Sequence, residues 1–93
     1  MTVEHVPGEN AGYIMLYALS TCGWCRKTRE LLEQLGVQYD YEYVDLLKGD
    51  DRDKAILAVR KWNPASSFPT IIFNNKDVIV GYQDEAIRKA LKL

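Results

Sequence analysis

Residues 13–27 read Tyr-Ile-Met-Leu-Tyr-Ala-Leu-Ser-Thr-Cys-Gly-Trp-Cys-Arg-Lys, and the periodicity of the chain changes in the middle of them. Tyr13 through Leu19 is apolar on both alternating faces, which suits a strand buried at the centre of a sheet. Ser20 and Thr21 interrupt it. From Cys22 the spacing turns helical: Trp24, Thr28, Leu31, Leu32 and Leu35 share one stripe, and Arg26, Lys27, Arg29, Glu30 and Glu33 lie mostly off it. Gly36 stops this helix as a left-handed C-cap does. Tyr39-Asp40-Tyr41-Glu42-Tyr43 then alternates strictly, the pattern of a half-exposed outer strand. Strand, helix and strand with short links predict a βαβ unit, parallel and joined right-handedly.

Working outward, Asp50 is placed to N-cap a second helix that buries Ala55, Ile56, Val59 and Trp62 and ends at Asn63-Pro64. A loop leads to Phe68 and Pro69. Thr70–Phe73 and Val78–Val80 are apolar runs flanking Asn74-Asn75-Lys76-Asp77, a strong hairpin signal. Gly81 breaks the second run, and a last helix directs Ile87, Ala90 and Leu91 inward. The expected order is β-α-β-α-β-β-α, an α/β domain with a four-stranded mixed sheet and three helices. It covers residues 13–93, with residues 1–12 as a loose lead-in where His5 is a solitary exposed side chain.

A chain of 93 residues has room for one core. Residues 13–19 form its longest apolar run, well short of the roughly 20 residues needed to cross a bilayer. The N-terminal stretch has neither the basic nor the apolar region of a secretory signal, so the cytoplasm is the expected location. Twelve basic and thirteen acidic residues, spread along the chain, give a net charge of −1 and no electrostatic case for nucleic acid or an anionic membrane.

The chain has two cysteines, Cys22 and Cys25. A disulfide closing so short a loop removes little unfolded-state entropy, so a structural staple is a poor explanation. In a reducing compartment such a pair points to redox chemistry or metal binding. Its place at a strand-to-helix junction favours redox chemistry. Free N–H groups of the first turn and the positive end of the helix dipole favour the thiolate of Cys22. Cys25, one turn further in, is more shielded and suits a resolving thiol. Trp24 either offers an apolar surface beside the sulfurs or packs on the domain.

Tyr17–Lys27, together with Phe68-Pro69-Thr70 ahead of the hairpin, resembles the active-site segments of glutaredoxins, and the likeness runs from about Tyr13 to the C-terminus. The resemblance implies a thioredoxin-like fold and thiol–disulfide oxidoreductase activity on protein or low-molecular-weight disulfides, by a monomer with no resident cofactor. It implies a cis bond before Pro69, main-chain contacts to substrate from Phe68, and a bound thiol near Gly81. Thr21, Trp24 and Tyr82 complete the expected substrate-binding set. Three departures stand out. Gly23 and Trp24 replace the usual Pro and Tyr, Leu19 replaces a lysine of glutathione-using members, and Gly81-Tyr82-Gln83-Asp84-Glu85 replaces a Gly-Gly turn. The first leaves the redox potential open; the other two imply that glutathione is a poor or indirect reductant, with a thioredoxin-reductase-type flavoenzyme or another small thiol as the donor. Arg26, Lys27 and Lys61 are the cations placed to compensate.

Two other readings compete. A structural zinc site needs four ligands, and two cysteines with a remote His5 do not supply them. A dimer sharing an iron–sulfur cluster through the nucleophilic cysteine and an external thiol is the alternative implied by the resemblance, since Gly23 removes the steric objection of a motif proline. An inert adaptor with a structural dithiol is the third.

Overall fold

The apolar run at 13–19 becomes the middle strand of the sheet. The computed structural model describes residues 3–92; Met1, Thr2 and Leu93, at the ends of the expected lead-in and domain, lie outside them. The elements are β1 (Glu4–Val6), β2 (Ile14–Ala18), α1 (Gly23–Gln34), β3 (Tyr39–Tyr43), a 3₁₀ turn at Val44–Leu46, α2 (Gly49–Trp62), β4 (Thr70–Phe73), β5 (Asp77–Val80) and α3 (Asp84–Ala90). No helix among the described residues is long and apolar enough to cross a membrane.

β2 pairs parallel with β3 and antiparallel with β4, and β4 pairs antiparallel with β5. Ile14, Leu16 and Ala18 join Ile71, Phe73, the α1 residues Cys25, Leu31 and Leu32, and Ile87 of α3 in one buried cluster. Met15, Ile72 and the α2 residues Ala55 and Val59 are buried outside that cluster. Alternation along a strand places the two sets on opposite faces of the sheet.

The sheet has five strands rather than the expected four, in the order β1-β3-β2-β4-β5. The added strand comes from the lead-in: Glu4, His5 and Val6 pair antiparallel with Tyr41, Asp40 and Tyr39. Three residues without apolar alternation carry no periodic signal. What holds them is the open edge of β3 and a bond between His5 Nδ1 and Asp40 Oδ1 at 2.7 Å, so His5 is exposed but not solitary. The chain after β1 also lies tight against the α1–β3 connection. The Glu9 N–H donates to the Gly36 carbonyl at 2.7 Å, and a Cβ on Gly8 would sit 2.6 Å from the Val37 carbonyl carbon. With β1 outside it, β3 is an interior strand, and Tyr39 and Glu42 are buried rather than half-exposed.

The helices also differ from expectation at single positions. Cys25, not Trp24, lies on the buried face of α1, and Trp24 is 59% exposed. Lys48, not Asp50, is the N-cap of α2; Asp50 lies in the first turn, where a carboxylate suits the helix dipole. Ile56 and Trp62 are half-buried, and Ala90 is exposed while Ile87 and Leu91 are buried. The hairpin turns through Asn74 and Asn75, both at positive φ (56° and 52°), a conformation asparagine tolerates better than most residues.

Candidate active site

β2 ends directly below the start of α1, and Cys22 is the N-cap of that helix. Its backbone is extended (φ −91°, ψ 117°), and its Sγ accepts the Cys25 N–H at 3.2 Å. One of the N–H groups a helix start leaves without an intrahelical partner is thus spent on sulfur. An anionic sulfur accepts such a bond more strongly than a neutral one. Both cysteines are free thiols; Cys22 is half-buried and Cys25 is 1% exposed. Burial, and then its hydrogen bond to Cys22, pushes the Cys25 thiol from an ordinary 9.0 up to about 12. Two identical side chains one helical turn apart therefore differ in access, and the inner one keeps its proton through the neutral range. A Cβ at Gly23 would meet nothing within 4 Å, so the space over this first turn is open.

Trp24, which lies between the two cysteines in sequence, belongs to an aromatic cleft. Trp24, Phe68, Pro69, Gly81 and Tyr82 line a cleft of about 250 Å³. The Trp24 and Tyr82 rings stack with centroids 5.9 Å apart and planes 22° from parallel, and Lys27 Nζ lies 5.2 Å from the Trp24 centroid. The Phe68–Pro69 peptide bond is cis, as the resemblance implies, and the Gly81 N–H donates to the Pro69 carbonyl at 2.8 Å. Gly81 itself sits at φ 87°, where a side chain would be strained, and this lets the chain turn back over Pro69. Thr21 is exposed in the turn before Cys22 and does not line this cleft.

A glutaredoxin family model matches residues 14–78, which contain both cysteines and the cis proline. The chain belongs to the glutaredoxin family. The solved glutaredoxin of Methanosarcina mazei Go1 superposes with a TM-score of 0.92 at 45% identity, covering 100% of this chain and 90% of that one. The methanoredoxin of Methanosarcina acetivorans gives 0.90 at 46% identity, over 92% of this chain and 90% of its own. In sequence, a glutaredoxin-like 8.6 kDa protein from the rubredoxin operon of Clostridium pasteurianum is 30% identical over 79 residues, 85% of this chain and 97% of that protein. A glutaredoxin fold carrying a Cys-x-x-Cys pair suits thiol–disulfide exchange.

Several residues that shape this glutaredoxin site escaped the sequence reading. Asn63, expected only to end α2, is 5% exposed, and its Nδ2 donates to the Ser67 carbonyl at 3.0 Å and to Thr70 Oγ1 at 3.1 Å. Those bonds set the loop that delivers Phe68 and Pro69. Asp45, at the 3₁₀ turn, accepts the Ser20 N–H at 2.9 Å and the Ser20 hydroxyl at 2.5 Å. The Ser20 hydroxyl holds the Asp45 carboxyl below its usual value, and the pair anchors the chain entering Cys22. Arg29 donates from Nε to the Tyr39 hydroxyl at 3.0 Å and from Nη1 to the Tyr43 hydroxyl at 2.8 Å, bracing α1 on β3. Its spacing of seven from Cys22, two helical turns along one face, was the available signal. Lys61, named as a compensating cation, lies with Nζ 5.7 Å from the Trp62 ring, and Asp84 accepts from Arg88 Nε at 2.6 Å. Among the described residues, no three His, Cys, Asp or Glu side chains gather as metal ligands.

Proposed function

We propose that this chain reduces disulfides by two-step exchange, with Cys22 as nucleophile and Cys25 as resolving thiol. The observation that carries the reading is the contrast between the two sulfurs. Cys22 is accessible and accepts an N–H bond, whereas Cys25 is buried with its thiol pushed up to about 12. In the first step the Cys22 thiolate attacks one sulfur of the target, the target S–S bond breaks, and the leaving thiolate takes up a proton. In the second step Cys25 loses its proton and attacks the Cys22 sulfur of the mixed disulfide. The second target thiol departs, and the two thiols have supplied both electrons as a Cys22–Cys25 disulfide.

Trp24, Phe68, Pro69, Gly81 and Tyr82 are the substrate-side wall in this reading, on protein or small-molecule disulfides. Glutathione is a poor donor for reducing the oxidised pair. Leu19 is not itself a cation for its carboxylates, and Tyr82, its ring stacked on Trp24, stands in sequence where a second glycine would follow Gly81.

The test is mass analysis of adducts after mixing reduced protein with a disulfide. Cys22→Ser should form none, and Cys25→Ser should accumulate the one-to-one mixed disulfide. Turnover surviving in Cys22→Ser overturns the assignment.

A further inference from the structure

Cys22 itself does not line the Trp24–Tyr82 cleft. It lines a cleft of about 240 Å³ together with Leu19, Ser20, Arg26, Arg29, Glu30, Glu33 and Tyr43. We propose that this α1–β3 cleft is a subsite for a carboxylate carried by a small disulfide substrate, with Arg26 and Arg29 as its ligands. The inference rests on Cys22 being the attacking thiol.

The charges are ordered along the helix. Cys22, Arg26, Arg29 and Glu33 share one face of α1, and at 1.5 Å per residue the two arginines stand about 6 Å and 10 Å beyond the Cys22 position, with Glu33 about 16 Å away. Along α1, a carboxylate two or three carbons from a disulfide sulfur poised at Cys22 therefore meets Arg26 and Arg29 before the acids of the helix, Glu30 at about 12 Å and Glu33. Asp45, at the Ser20 end, has both carboxylate oxygens bonded to Ser20. Glu33 is moreover occupied, accepting the Tyr39 hydroxyl at 3.3 Å.

Arg29 is held ready. Its guanidinium carbon lies 3.9 Å from the Tyr41 ring centroid, and two of its donors are bonded to tyrosine hydroxyls. Guanidinium has five N–H donors, so three remain. The Tyr39 hydroxyl is pushed up, by burial first, from its ordinary value. Neither His5–Asp40 nor Arg88–Asp84, the ion pairs seen, takes Arg29, whose two side-chain hydrogen bonds go to tyrosine hydroxyls. A half-buried, preoriented cation bonded to tyrosine hydroxyls, in the same cleft as the nucleophile, fits the fork geometry of carboxylate recognition. The reaction is that of the first exchange step. Cys22 takes one half of the disulfide, and the other half leaves as a thiolate and is protonated.

The probes are 3,3′-dithiodipropionate (a dianion), bis(2-hydroxyethyl) disulfide (neutral) and cystamine (a dication), each mixed with the pre-reduced full chain. Second-order rates come from acid quench and mass analysis. Each is divided by the rate of free mercaptoethanol with the same disulfide, which removes differences in leaving-group chemistry. The normalised dianion rate should exceed the neutral one by about tenfold, with the dication slowest, and the advantage should shrink with added salt. Arg26→Gln and Arg29→Gln should each pull the dianion-to-neutral ratio toward one. Arg26 is exposed, so its variant keeps the test valid if loss of the Arg29 brace unfolds the protein. Equal normalised rates for the three probes overturn the inference. So does a ratio that falls only in Arg60→Gln, because Arg60 lines a separate cleft of about 270 Å³ over α2 with Phe68. Failure of the underlying reading looks different: the neutral disulfide would form no adduct at Cys22, and the subsite proposal falls with it.

Discussion

The two faces of α1 do opposite work within the same twelve residues. The inner face buries Cys25, Thr28, Leu31 and Leu32; the outer face presents Cys22 at the cap, then Arg26, Arg29 and Glu33. On the inner face a side chain is judged by volume and by the absence of unmatched polarity. Thr28 meets that condition by donating its hydroxyl to the Trp24 carbonyl at 2.9 Å. On the outer face what counts is which donors remain free. The dithiol belongs to both faces at once, since a Cys-x-x-Cys spacing advances about 300° around a helix and carries the second sulfur inward.

The sharpest contrast between the faces is in stability. Leu32 is fully buried in the main cluster, and Leu32→Ala should cost about 2–5 kcal/mol through lost transfer energy and a residual cavity. Glu30 lies two residues away and exposed, and Glu30→Ala should change stability by less than about 0.5 kcal/mol. Urea titration of the reduced proteins measures both. Similar costs would mean that α1 is not anchored by its inner face.

The next effect sharpens the contrast at the cysteines. The folded Cys25 thiol is raised from 9.0 to about 12, so the folded state binds its proton more tightly than the unfolded chain does. The contribution is fully present below about pH 9 and is lost as pH rises through 12, reaching up to about 4 kcal/mol. Reduced protein should therefore lose stability across that window. Tyr13, Tyr17 and Tyr39 are also raised and act with the same sign, so the measurement is the difference from Cys25→Ser, which has no thiol to titrate at that position. Parallel pH profiles for the two proteins would remove the argument that burial holds the Cys25 proton.

How much of this was legible follows from where periodicity is strong. Residues 14–18 and 70–73 are buried on both faces and bounded by turn residues, so their pattern is readable without any partner. Glu4–Val6 carries no such pattern because its strand exists only through the edge of β3, a contact some thirty-five residues away in sequence. Trp24 was misplaced for a related reason. Helical spacing put it on the inner stripe with Thr28 and Leu31, yet at the first turn of α1 the Tyr82 ring provides an outer surface for it. Cys22, Cys25 and Pro69 were legible through local motifs, whereas Arg29 and Asn63 required knowing which hydroxyls and carbonyls the fold brings near them.

The smallest effect concerns the aromatic wall, where α1 meets the turn after β5. Trp24 and Tyr82 stack at 5.9 Å, and pairs of this kind couple by about 0.5–1.5 kcal/mol beyond the area they bury. Because Trp24 is 59% exposed, water competes for its face and the low end of that range is expected. A double-mutant cycle of Trp24→Ala, Tyr82→Ala and the combined variant isolates the coupling, with Lys27 and its contact to the Trp24 ring present in both Tyr82 states. A coupling near 0.5 kcal/mol says the wall is one unit spanning helix and hairpin, so a substrate that displaces one ring must disturb the other. Additive costs would say instead that each ring is held by its own element, and that the cleft beside Pro69 can open by moving Tyr82 alone.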